Sequence, residues 1–116
     1  MHQFIYHITK KDEWNKARYL RAYMADSLAS QGFIHCSTQL QVVRTANAYY
    51  SGQPGLVLLK IEEERVKATI RYENLEGGTA MFPHIYGPLN IDAVQKMADF
   101  PPRPDGTFKF PVELER

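Results

Sequence analysis

The first strong hydrophobic period is FIYHIT, residues 4–9, rich in β-formers and ended by Thr9, which predicts a strand. The period then lengthens. Through KDEWNKARYLRAY, Trp14, Ala17, Leu20 and Tyr23 recur three apart and share one helical face, with Lys16, Arg18 and Arg21 around the rest. Thr9 with Asp12 three residues on reads as the N-cap and near capping box of that helix. MADSLASQG reads as a loop that Gly32 closes, followed by a strand at FIHCS, residues 33–37. A second helix is expected from Leu40 to Tyr50, opened by the Thr38/Gln41 capping pair.

SGQPG has the composition of a turn, and the unbroken apolar run LVLLKIE predicts a strand covered on both faces. ATIRYE, 68–73, alternates, with Ala68, Ile70 and Tyr72 on one side and Thr69, Arg71 and Glu73 on the other. NLEGG reads as a turn, and TAMFPHIYG as a strand that Pro83 assigns to a sheet edge or a bulge. IDAVQKMADF is expected to form a third helix capped by Asn90 or Asp92, and PPRPDG a stiff connection. In TFKFPVEL, Phe108, Phe110, Val112 and Leu114 alternate as the inward face of a last strand. The order βα, βα, ββ, βα, β is no regular βαβ repeat, so an α+β fold is expected: two small, mostly antiparallel sheets around a cleft, with about three helices, in a single domain over 1–116.

Composition narrows the function classes. The chain is 44% hydrophobic and 12% aromatic, enough for a core. Its net charge of +1 supplies no broad field for nucleic acid or anionic lipid. No apolar run approaches the ~20 residues of a membrane span. MHQFIYHIT lacks the pattern of a secretory signal, and a single cysteine, Cys36, excludes an internal disulfide, so a cytoplasmic location is expected.

The histidines carry the candidate chemistry. Residues two apart in a strand share a face, so His7 goes with Thr9, His35 with Ser37 and His84 with Tyr86. Three strands thus present the same polar pair. If they neighbour one another, the pairs converge on a cleft walled by Phe33, Phe82 and Tyr86, suited to a small ligand. A structural hydrogen-bond network explains the same residues, as does a three-histidine zinc site, although their wide separations match no local ligand motif. Cys36 points away from His35 and reads as a core residue. Ser37 beside His35 lacks a nucleophile elbow and reads equally as a helix cap, while Glu73 is the best single catalytic carboxylate. The basic residues Lys10 to Arg21 read as a solvated helix face.

YHIT, W-x-x-A at 14–17, Y-x-A-D-S-L at 23–28, GFIHCS with Gln41, AxxYY at 46–50, LVLLKI, RYE, FPHIYGPL and FPPRPDGTF together resemble the bacterial family of domains of unknown function DUF952. The ARYLRAY segment departs from the resemblance in lacking a glycine before the tyrosine. More distantly the chain is similar to the ADP-ribosyltransferase superfamily, which includes antibiotic-modifying transferases and RNA 2′-phosphotransferases. That resemblance implies an ADP-ribosyltransferase-like fold and binding of NAD, ADP-ribose or a related phosphorylated nucleotide, with ADP-ribosyl transfer or glycohydrolysis as the chemistry. NAD would be a substrate; no cofactor or metal is required. It places His7 with Thr9 on the ribose hydroxyls, Ser37 as a second polar group, and Tyr49 or Tyr50 stacked on a ring. The superfamily's glutamate on a later strand corresponds to Glu73, or is replaced by His84 and Tyr86. The alternative is a non-catalytic binding or partner-interaction module on the same fold.

Overall fold

The computed structural model describes residues 3–75 and 77–115. β1, Phe4–Lys10, is followed by α1, Lys11–Leu20, and by a two-residue strand β2, Ala22–Tyr23. Then come α2, Asp26–Gln31; β3, Ile34–His35; α3, Gln39–Tyr49; and β4, Leu56–Glu62. β5, Thr69–Glu73, β6, Phe82–Tyr86, β7, Leu89–Asn90, and β8, Val94–Asp99, complete the fold. The strands form two three-stranded antiparallel sheets, ordered β1-β4-β8 and β3-β6-β5, and a ribbon of β2 with β7. The domain is therefore α+β, with three α-helices among the described residues. None of these helices is long and apolar enough to cross a membrane.

β4 is the hinge of the packing. Val57, Leu59 and Ile61 enter a core with Trp14 and Ala17 of α1, Ile34, Cys36 and Ile85, while Leu56 and Leu58 enter another with Val42 and Ala46 of α3, Phe100 and Phe108. The apolar run is thus covered on both faces, as its unbroken pattern predicts. Lys60 lies on the second face, nearly buried, with its ammonium 4.4 Å from the centre of the Phe4 ring and donating to the Leu114 carbonyl.

Several expectations need correction. Thr9 caps no helix: it pairs with Val57 inside β1, and α1 begins at Lys11 without a side-chain cap. α1 stops at Leu20 because Arg21 turns left-handed, φ 65°, so Tyr23 lies in β2 opposite Leu89. The expected loop at 24–32 contains α2, ended by left-handed Gly32. Only a single 3-10 turn, Ile91–Ala93, remains of the third helix, and the rest is β8. β8 meets a demand the local pattern does not show, since buried β4 needs hydrogen-bond partners along its second edge. Pro83 lies in β6, the middle strand of its sheet, not at an edge. Its carbonyl accepts from Cys36 N–H, so its ring nitrogen points toward β3, which ends at His35. The last segment is no strand. Phe108 and Leu114 are buried, Val112 is exposed and Phe110 half-buried, and the Phe108 N–H donates to the Asn47 side chain. Thr38 and Gln41 do open α3, Thr38 N–H donating to Gln41 Oε1 at 3.0 Å. The turn expected at NLEGG includes Glu76, which lies outside the described residues.

Candidate functional site

β1 is an outer strand of its sheet, and one pair of hydrogen bonds links it to the end of β3. Tyr6 N–H donates to the Ser37 carbonyl at 2.7 Å, and Ser37 N–H to the Tyr6 carbonyl at 2.8 Å. In the second sheet His35 stands opposite His84. Backbone pairing therefore lays the three histidine-bearing segments side by side. Beside the bridge a cleft of about 520 Å³ opens, lined from β1 by His7 and Thr9, from the 35–37 segment by His35 and Ser37, and from β6 by Phe82 and His84. The end of α3 adds Tyr49, exposed, and Tyr50, half-buried.

His7 is buried and fully engaged. Its Nδ1 lies 2.5 Å from the His35 carbonyl and its Nε2 2.8 Å from the Tyr23 hydroxyl, which lies 2.9 Å from Thr9 Oγ1. A carbonyl only accepts, so Nδ1 carries the proton, and a neutral ring then accepts at Nε2 from Tyr23. Burial holds His7 in that neutral state, bringing its pKa down to about 4 despite the favourable His35 carbonyl. Burial also pushes the Tyr23 hydroxyl up to about 12. With Tyr23's one proton given to His7, its oxygen accepts from Thr9, and both Thr9 lone pairs are left as acceptors in the cleft lining.

The second group lies on β5 and β6. Glu73 Oε1 accepts from His84 Nδ1 at 3.1 Å and from the Tyr86 hydroxyl at 2.5 Å. The Tyr86 hydroxyl, and after it the partners His84 and Arg71, hold the Glu73 carboxyl below its usual range against some opposing desolvation; the same bond pushes Tyr86 up. Phe33 packs on His84, His35 and Tyr86, with ring centres 4.5, 4.8 and 5.4 Å away. Of the three expected wall residues, Phe82 lines the cleft, whereas Phe33 and Tyr86 do not; neither does Glu73.

His35 is exposed, its Nε2 2.8 Å from Gln31 Oε1. Ser37 is buried, with its hydroxyl 3.5 Å from that of Thr45. Cys36 packs with Ile34 in the core beneath, where burial pushes its thiol up and leaves it protonated. Lys10, Glu13 and Asp26 bring charges to the lining. Among the described residues no three His, Cys, Asp or Glu side chains are grouped to hold a metal ion. Both His7 nitrogens are taken, which removes one donor of any three-histidine set. Sequence reasoning missed Tyr23 and Thr45 as parts of this site. Tyr23 stands in the YMADSL stretch that carries part of the family resemblance, the one signal that could have marked it.

Two solved structures of a Caulobacter crescentus protein, CC0527, are similar over nearly the whole chain. Its X-ray crystal structure is 34% identical with a TM-score of 0.83, covering 91% of this chain and 93% of that one. Its solution NMR structure is 35% identical with a TM-score of 0.79, covering 90% of each. No curated protein matches. The model of the family described as protein of unknown function (DUF952) matches residues 8–97, from the end of β1 into β8, and so takes in His35, Ser37, Glu73 and His84. The chain belongs to the DUF952 family.

Proposed function

We propose that this protein binds a nucleotide-class small molecule, NAD, ADP-ribose or a related phosphorylated nucleotide, in the cleft between its two sheets. The observation that carries the reading is the convergence of imidazole, hydroxyl and aromatic side chains from three separate segments on one hollow. Its volume lies within the ~300–1,000 Å³ of small-ligand pockets. Tyr49, Tyr50 and Phe82 offer flat rings for a base or nicotinamide. Thr9, Ser37 and His84 suit ribose hydroxyls, and Lys10 offers a cation to a phosphate. His7 contributes indirectly in this reading, by fixing Tyr23 and through it Thr9. The distant resemblance of its sequence motifs to ADP-ribosyltransferases would add transfer or hydrolysis at the nicotinamide–ribose bond as the chemistry.

One observation favours a second reading, a binding module without that chemistry. Cleavage at the anomeric carbon builds oxocarbenium-like charge, which a nearby carboxylate stabilises. Glu73, the carboxylate offered by the sequence pattern, does not line the cleft.

Thermal unfolding with NAD, ADP-ribose, AMP and 2′-phosphorylated nucleotides separates the outcomes. Ligand at 100 times its Kd adds about 2.7 kcal/mol of stability. The Thr9→Val variant should lose most of that gain. Binding with nicotinamide release above the protein-free rate supports transferase or glycohydrolase chemistry; binding with background release supports the module. If no nucleotide moves the melting point, the nucleotide reading fails.

A further inference from the structure

We propose that Glu73 and His84 form an acid–base dyad whose open nitrogen, His84 Nε2, faces the cleft, so that the site is built to take a proton from a bound hydroxyl or water. The inference rests on the binding reading only in placing a substrate in that cleft.

The geometry comes from three elements. β5 supplies Glu73, β6 supplies His84 and Tyr86, and Phe33, just before β3, packs against the rings of His84 and Tyr86. An ionised carboxylate only accepts, so His84 Nδ1 carries the proton that lies 3.1 Å from Glu73 Oε1. The neutral ring then has its lone pair at Nε2. No described residue hydrogen-bonds to Nε2, and no sealed side-chain nitrogen or oxygen is left without a partner. Nε2 is therefore not sealed, although His84 as a whole is only 3% exposed, and the cleft that His84 lines is where it opens. The ring cannot easily turn away, because Phe33 packs on it and the His35 ring stands edge-on 5.5 Å off.

In the proton step the O–H bond of a hydroxyl or water breaks, an N–H bond forms at Nε2, and the electron pair stays on oxygen. The positive charge created on the ring faces the Glu73 carboxylate, which the Tyr86 hydroxyl keeps ionised. The other charged neighbour from β5 is Arg71, opposite His84 in register, with its guanidinium over the Tyr86 ring at 5.2 Å. His84 touches the substrate in this scheme and is the catalytic residue. Glu73 acts through it, as a positioning residue.

Diethyl pyrocarbonate tests this on the protein alone, because it adds an ethoxycarbonyl group to an imidazole lone pair. Site-resolved mass spectrometry at pH 7 should find His84, only 3% exposed but with its Nε2 lone pair open, labelled faster than His7, whose nitrogens are both occupied and which stays protected until the protein unfolds. Glu73→Gln should slow His84 labelling about tenfold, by analogy with the loss seen when the carboxylate partner of a metal-bound imidazole is removed. Protection of His7 shows that the variant has kept its fold. Should Glu73→Gln expose His7, Glu73→Asp serves instead, since its shorter side chain draws the carboxylate away from Nδ1; the same slowing is expected. An unreactive His84, or a rate unchanged in the folded variant, overturns the dyad. That failure is distinct from a failure of nucleotide binding, since no nucleotide enters the measurement.

Discussion

At the scale of single residues, burial of an imidazole has a cost that appears in pH dependence. Unfolded His7 titrates near 6.5, but in the folded chain its pKa is lowered to about 4. Between those values the unfolded chain binds a proton that the folded one refuses. Stability is therefore intact above about pH 6.5 and falls as the pH drops toward 4, with about 3 kcal/mol at stake. Urea unfolding between pH 7 and pH 4 should show His7→Gln less stable at pH 7 but with a shallower decline; equal slopes would refute the assignment. Arg21 gives a second residue-scale prediction. It holds a left-handed conformation, φ 65°, at the end of α1, where a side chain is strained and glycine is at ease. Arg21→Gly should raise stability by about 0.5–1 kcal/mol in the same assay. The sequence marked a glycine missing before the tyrosine of ARYLRAY but did not assign it to Arg21, and the backbone angle shows only in the structure.

At the scale of elements, strands with a clear period were legible and the segments that complete other elements were not. FIYHIT, LVLLKIE and the Thr38–Gln41 cap correspond to β1, β4 and the start of α3, because each carries its own signal in period or capping pair. IDAVQKMADF carries an equally good helical signal, yet most of it is β8. The open edge of β4 outweighs local propensity there, a preference worth only fractions of a kcal/mol per residue. The closing segment shows the reverse error. TFKFPVEL alternates like a strand, but it joins neither sheet and packs by individual side chains. Phe108 is fully buried with its ring 4.8 Å from that of Phe100. Phe108→Ala should therefore cost about 3–5 kcal/mol in chemical denaturation although no strand contains it. A cost like that of an exposed residue would show that this segment is not part of the core.

At the scale of the whole molecule, β4 makes two cores into one cooperative unit. Leu58 and Leu59 are neighbours in sequence and both fully buried, yet they enter opposite cores. Leu58→Ala and Leu59→Ala should each lower stability by about 2–5 kcal/mol and shift one common transition, seen alike by Trp14 fluorescence and by far-UV circular dichroism. Two separated transitions would mean that the cores melt independently. The candidate site belongs to this scale as well. Which residue types would gather was readable, because the repeated histidine–hydroxyl pair is a matter of residues two apart on one strand face. That Tyr23 would close on His7, that Glu73 would stand behind His84 outside the cleft, and that Thr45 would meet Ser37 depended on contacts between distant segments. The amino-acid order by itself determined the α+β class, the doubly covered strand and the identity of the polar pairs, since those follow from short-range periodicity and side-chain chemistry. Only the tertiary structure decided which strand ends meet and which imidazole nitrogen stays open. Those depend on sheet register and on one bridge between Tyr6 and Ser37, and no local pattern encodes hydrogen bonds between backbones so far apart in the chain.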